Sequence, residues 1–197
     1  YLLALYLADL KQTLSQDQID KLLGTLKSCP QLQKKILEDQ EMIRRIARRH
    51  SHFGSFLFLG RNINYPSALE GALKLKEISY IPAEGYAAGE MKHGPIALID
   101  EYRAVVCIAP QSNVYEKMVS NIQEIRSRRG KIIAIASEDD DEIKELTKEV
   151  IYIPRVNEFL SPLIVALPLQ LLAYHIAVKR GADVDQPRNL AKSVTVE

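Results

Sequence analysis

The 197-residue sequence has no tryptophan and only two cysteines. Cys29 and Cys107 form no disulfide framework and no metal-ligand spacing, which points to a reducing, cytoplasmic setting and to no metal site. Neither sign of charge prevails. Lys and Arg number 26 against 25 Asp and Glu, and the formal net charge of +1 gives no bulk attraction for nucleic acid or an anionic membrane. The two basic runs, Arg44–His50 and Arg126–Arg129, stand late in predicted helices and lack interleaved aromatics for base stacking, so no nucleic-acid partner is expected. There is no signal-peptide pattern either: Tyr1-Leu2-Leu3-Ala4-Leu5-Tyr6-Leu7-Ala8 is short and has neither a basic start nor a small-residue cleavage site. It reads as the inside of a helix, and the expectation is a piece of a longer chain. Phe159 to Val178 has no Asp, Glu, Lys or Arg, a length that passes the ~18-residue test for a membrane span. Pro162, Pro168, Gln170 and His175 interrupt it, and the reading is a helix buried in an α/β domain, with no membrane partner. Hydrophobic residues at 47% and charged residues at 26% exclude a disordered chain.

What is present alternates. Ser15 and Gln18 have the spacing of a capping box, and Ile19, Leu22, Leu23 and Leu26 then mark one face of a helix. Ser28-Cys29-Pro30 is expected to restart the chain before a second helix reaching His50. Short apolar runs at Ser55–Leu59, Ala104–Ala109, Lys131–Ala136 and Val150–Ile153 read as buried strands, with a short fifth expected around Ile81. Helices are expected from Pro66 to Ser79, through Val114–Ile125, at Asp141–Lys148 and over the long apolar run to Gly181. Such alternation implies a parallel sheet covered on both faces, a three-layer αβα sandwich of the flavodoxin-like kind.

Three segments hold residues capable of chemistry. At ~100° per residue, Glu70, Lys74 and Glu77 fall on one narrow stripe of an otherwise apolar helix. The stripe reads either as a solvated ion-pair face or as the wall of a pocket in which two carboxylates flank an ammonium. Pro82–Pro95, with three glycines and two prolines, is expected to be a long loop, and His93 on it is either structural or functional. The polar end, Ala182 to Glu197, carries Lys192, which is a solvated charge unless the segment folds over a site.

Together these segments are recognisable. Tyr65–Tyr80, Ala83–Pro95 and the ending Asp183-Val184-Asp185-Gln186-Pro187-Arg188-Asn189-Leu190-Ala191-Lys192-Ser193-Val194-Thr195-Val196-Glu197 resemble the glutamine–fructose-6-phosphate aminotransferase family, in its bacterial form. The resemblance covers the whole chain. It implies a sugar isomerase (SIS) fold with a five-stranded parallel sheet. Residues 1–14 would end a preceding SIS lobe, 15–181 would be the second lobe, and 182–197 a tail carrying an active-site lysine. It also implies roles. Glu77 would shuttle a proton between C1 and C2 of the sugar, with Lys74 and Glu70 lining the pocket. His93 would assist ring opening from the neighbouring subunit of a homodimer. Lys192 would form a Schiff base with the keto carbon, and the backbone at Ala191 would contact substrate. No cofactor is implied. The substrate would be fructose 6-phosphate and the product glucosamine 6-phosphate.

The chemistry suits these residue types. A carboxylate can remove a proton from one carbon and return it to the next. A lysine attacks a carbonyl once its ammonium form is disfavoured, as it is when a lid covers it. In the resembling family, Ser/Thr-rich loops of the first lobe hold the phosphate. The equivalent loop here, Pro110-Gln111-Ser112-Asn113-Val114, has one hydroxyl and reads as a copy without that capacity. The expectation is therefore a chain that folds, self-associates and is inert by itself. The alternative is a non-catalytic SIS module that binds a phosphosugar and regulates a partner.

Overall fold

The computed structural model describes residues 1–188. Five strands, β1 (Phe56–Gly60), β2 (Ala83–Ala87), β3 (Ala104–Ala109), β4 (Lys131–Ser137) and β5 (Val150–Ile153), form one sheet in the order β2-β1-β3-β4-β5. Every neighbouring pair is parallel. Parallel strands need covered crossovers, which is why β1 and β3 are buried along their whole length and read as unbroken apolar runs.

The described residues form seven helices: α1 (Leu2–Leu10), α2 (Gln16–Glu38), α3 (Glu41–His50), α4 (Tyr65–Ser79), α5 (Tyr115–Ser127), α6 (Glu142–Leu146) and α7 (Ser161–Lys179), and all but α1 contribute to the cover. Alternation along the strands splits the core in two. Phe56, Phe58, Val106 and Ile133 pack under α2, α3, α4 and α7. Leu57, Leu59, Val105 and Cys107 pack under α5, α6 and the segment after β2. The result is the expected three-layer sandwich. Among the described residues, Glu158–Lys179 is the one helical span long and apolar enough to cross a membrane. Its Ile164, Val165, Leu169, Leu172 and Ile176 are spent on the sheet instead.

Two local expectations are corrected. Pro30 does not restart the chain: α2 runs through it from a capping box at Ser15. A proline costs one helical hydrogen bond, yet Cys29 and Ile36 are buried on either side, and Gln33 Nε2 donates to the Leu163 carbonyl at 2.9 Å. Nor is Pro82–Pro95 one long loop. Ala83–Ala87 is the edge strand β2, followed by two 3-10 turns at Ala88–His93 and Pro95–Leu98.

Glycines press α4 onto the sheet. A Cβ on Gly85 of β2 would lie 2.9 Å from the backbone of Ala68 and Leu69. One on Gly71 would meet the Phe58 ring at 2.9 Å and Leu169 at 3.0 Å. Any larger residue would lift the helix that carries Glu70, Lys74 and Glu77.

Candidate functional site

Helix α4 starts with proline in its first turn, where no N–H is required, and ends on Tyr80 in the left-handed conformation at φ +62°. Ala68, Ala72 and Leu75 face the core. That orientation leaves the charged stripe at the seam between α4 and α7, neither submerged nor free. Glu70 Oε1 accepts from Gln170 Nε2 of α7 at 3.1 Å. Lys74 Nζ donates to Glu77 Oε2 at 2.7 Å, with the two side chains 34% and 25% exposed. The hydrogen bond to Glu77 raises the Lys74 pKa above the ordinary lysine value, against the opposing effect of partial burial; the charges of Glu77 and Glu70 add to the rise. Lys74 is thus held as an ammonium. It can orient a carboxylate or stabilise negative charge, but it is a poor nucleophile.

The chain returns to this helix after α7. Gly181 turns it at φ +73°, and Asp183 Oδ1 accepts from the N–H groups of Asp185 and Gln186, both at 3.0 Å. The turn delivers Arg188 to the end of α4. Its backbone N–H donates to Tyr80 Oη at 2.8 Å, and its guanidinium lies over the Tyr80 ring, 4.3 Å from the centroid. The candidate residues Ala191 and Lys192 lie outside the described residues.

His93 is placed elsewhere. It closes the 3-10 turn after β2, exposed, with Nδ1 2.8 Å from Glu90 Oε2. Met91 of that turn packs into the core under α5, and Lys92 pairs with Glu124 of α5 at 2.8 Å. The turn therefore belongs to the face of the sheet opposite α4. Within one chain the fold brings Glu70, Lys74 and Glu77 together and leaves His93 apart.

Three amides of the loop after β3 are engaged. Gln111 N–H donates to Ser137 Oγ at 3.0 Å, Asn113 N–H to Glu158 Oε2 at 2.9 Å and Val114 N–H to Ser112 Oγ at 3.4 Å. The Glu158 carboxylate thus sits just ahead of α5, on the amide that precedes its N-cap Val114. Glu158 escaped sequence reading because it is 45 residues away from Asn113 in the chain. Tyr80 escaped it because nothing in Ser79-Tyr80-Ile81 announces a left-handed tyrosine. Among the described residues, no three His, Cys, Asp or Glu side chains gather as a metal site.

The family described as the SIS domain matches residues 51–180. The chain belongs to the SIS domain family. This SIS domain is 54% identical over 196 residues to a glutamine–fructose-6-phosphate aminotransferase [isomerizing] of Thermus thermophilus, a match covering 100% of this chain and 32% of the relative. It is 56% identical over 186 residues to the same-named protein of Chlorobaculum tepidum, covering 94% of this chain and 30% of that one. The chain thus spans about a third of the length of the curated relatives it matches. Among solved structures, it resembles the C-terminal domain of glucosamine-fructose-6-phosphate aminotransferase from Francisella tularensis. The TM-score is 0.85 with 40% identity, over 92% of this chain and 51% of that one.

Proposed function

We propose that this SIS domain is the second isomerase lobe of a glutamine–fructose-6-phosphate aminotransferase, working in a cytoplasmic homodimer. The whole enzyme would convert fructose 6-phosphate and glutamine to glucosamine 6-phosphate and glutamate. The observation that carries the reading is the pairing of Lys74 with Glu77 at 2.7 Å on a helix whose end receives the chain four residues before Lys192.

Roles follow from the geometry and the resemblance. Lys192 condenses with the keto carbon C2 of the sugar and releases water. Because the product retains nitrogen at C2, ammonia must displace the lysine there. Glu77 then removes a proton from C1 and returns it to C2 while the C1 hydroxyl proton passes to the nitrogen, so the C2 imine becomes an amine and C1 an aldehyde. Lys74 stays protonated, orients the Glu77 carboxylate and balances charge. Glu70, held by Gln170, completes the wall, and the backbone at Ala191 contacts substrate. His93, on the opposite face of its own sheet, serves the neighbouring subunit by opening the sugar ring. The phosphate is held by the lobe preceding this one, since Glu158 fills the corresponding place here. Residues 1–14 end that preceding lobe, consistent with an α1 that buries none of its side chains, and 182–197 form the tail.

The test is Glu77→Gln in the full-length enzyme. Isomerisation should fall about two to four orders of magnitude, the scale of lost general acid–base catalysis, while glutamine hydrolysis persists. Near-normal production of glucosamine 6-phosphate would remove Glu77 from the role.

A further inference from the structure

We infer that Tyr80 is a positioning residue that seats the chain at Arg188, ahead of its last nine residues, on the helix bearing Glu77. A helix that ends in the left-handed conformation normally does so on glycine, because a Cβ there is strained. Here the position is a tyrosine at φ +62°, with its N–H still closing on the Lys76 carbonyl. The backbone alone gains nothing from that choice. What the side chain supplies is a two-part clamp on Arg188: the phenol oxygen accepts the backbone N–H at 2.8 Å, and the ring lies under the guanidinium. The first contact holds the main chain and the second holds the side chain.

The approach is prepared on the other side of the contact as well. Gly181 and the Asp183 turn bend the chain back from α7 before it reaches Tyr80. Tyr80 follows Glu77 by three residues, about 4.5 Å of helical rise. Lys192 follows Arg188 by four residues, which extended reach at most about 14 Å. The clamp therefore sets the origin from which a tail lysine can approach the Glu77 carboxylate. Resting as it does on the proposed roles of Glu77 and Lys192, the inference adds the residue that brings them into register.

Tyr80→Gly is the informative variant, since glycine relieves the backbone strain while deleting the clamp; Tyr80→Phe keeps the ring and removes only the acceptor. In the 197-residue chain, tryptic cleavage after Arg188, followed by mass spectrometry, reports undocking. Tyr80→Gly should speed that cleavage about tenfold or more, Tyr80→Phe by less, and the Tyr80→Gly melting midpoint should stay level or rise. Equal cleavage rates in Tyr80→Gly and the parent chain overturn the inference. In the full-length enzyme, Tyr80→Gly should also lower kcat more than it raises KM, and reduce the yield of sugar trapped on Lys192. If the parent enzyme traps no sugar there while cleavage still responds to Tyr80→Gly, the clamp stands and the Schiff-base role falls. If trapping is normal in parent and variant alike, the clamp does not position the lysine.

Discussion

Glu77 and His93 are carried on opposite faces of one parallel sheet. Glu77 belongs to the layer of α4 and α7, whereas the turn that ends at His93 packs with α5. A sheet packed on both sides lies between the layers that carry them, and in the proposed mechanism the His93 acting beside a given Glu77 comes from the neighbouring subunit. In the full-length enzyme, Glu77→Gln and His93→Asn should each be nearly inactive. Mixed and reassembled, they should recover about a quarter of the parent activity, because half of random dimers are mixed and each holds one intact site. No recovery on mixing would place both residues in the same subunit's site.

The Glu158 carboxylate at the start of α5 has a consequence for the isolated chain. It accepts the Asn113 amide that would otherwise be offered to an anion. The 197-residue chain should bind fructose 6-phosphate about millimolar or weaker by calorimetric titration, and should turn over none of it. Micromolar binding would show that the phosphate is held in this lobe and that its assignment as the second lobe is wrong.

His50 predicts an acid limit to stability. It is buried at 6% exposure, with Nδ1 2.9 Å from the Ile46 carbonyl, among Arg49, His52 and Glu149. Burial, the largest cause, lowers its pKa below the ordinary 6.5. The unfolded chain then binds a proton that the folded chain refuses, so stability falls as pH drops below 6.5 and levels off beneath the folded pKa. His50→Gln should flatten that slope in urea unfolding between neutral pH and about pH 5. An unchanged slope would assign the acid loss to other groups.

Much of the fold was legible because β1, β3, β4 and β5 are buried on both faces and hence written as apolar runs. β2 was not. As an edge strand it pairs only with β1, and Ala83-Glu84-Gly85-Tyr86-Ala87 carries a charge and a glycine that fits beneath α4. Pro30 misled for the opposite reason, since packing around Cys29 and Ile36 outweighs one lost hydrogen bond. At the site, the Glu70/Lys74/Glu77 stripe was readable from helical period alone. Whether it was solvated or pocketed was not, because that depends on Gln170, a hundred residues further along the chain. The clamp of Tyr80 on Arg188 joins residues 108 apart and leaves no local trace.

In the proposed mechanism this lobe's tail brings a nucleophilic lysine to a sugar whose proton Glu77 moves. Borohydride reduction of the full-length enzyme in the presence of fructose 6-phosphate, followed by peptide mapping, tests it most directly. The reduced sugar should be attached to Lys192, with none on Lys74, whose ammonium is held by Glu77. Label on Lys74 or Lys76, or no covalent adduct at all under turnover, would contradict it.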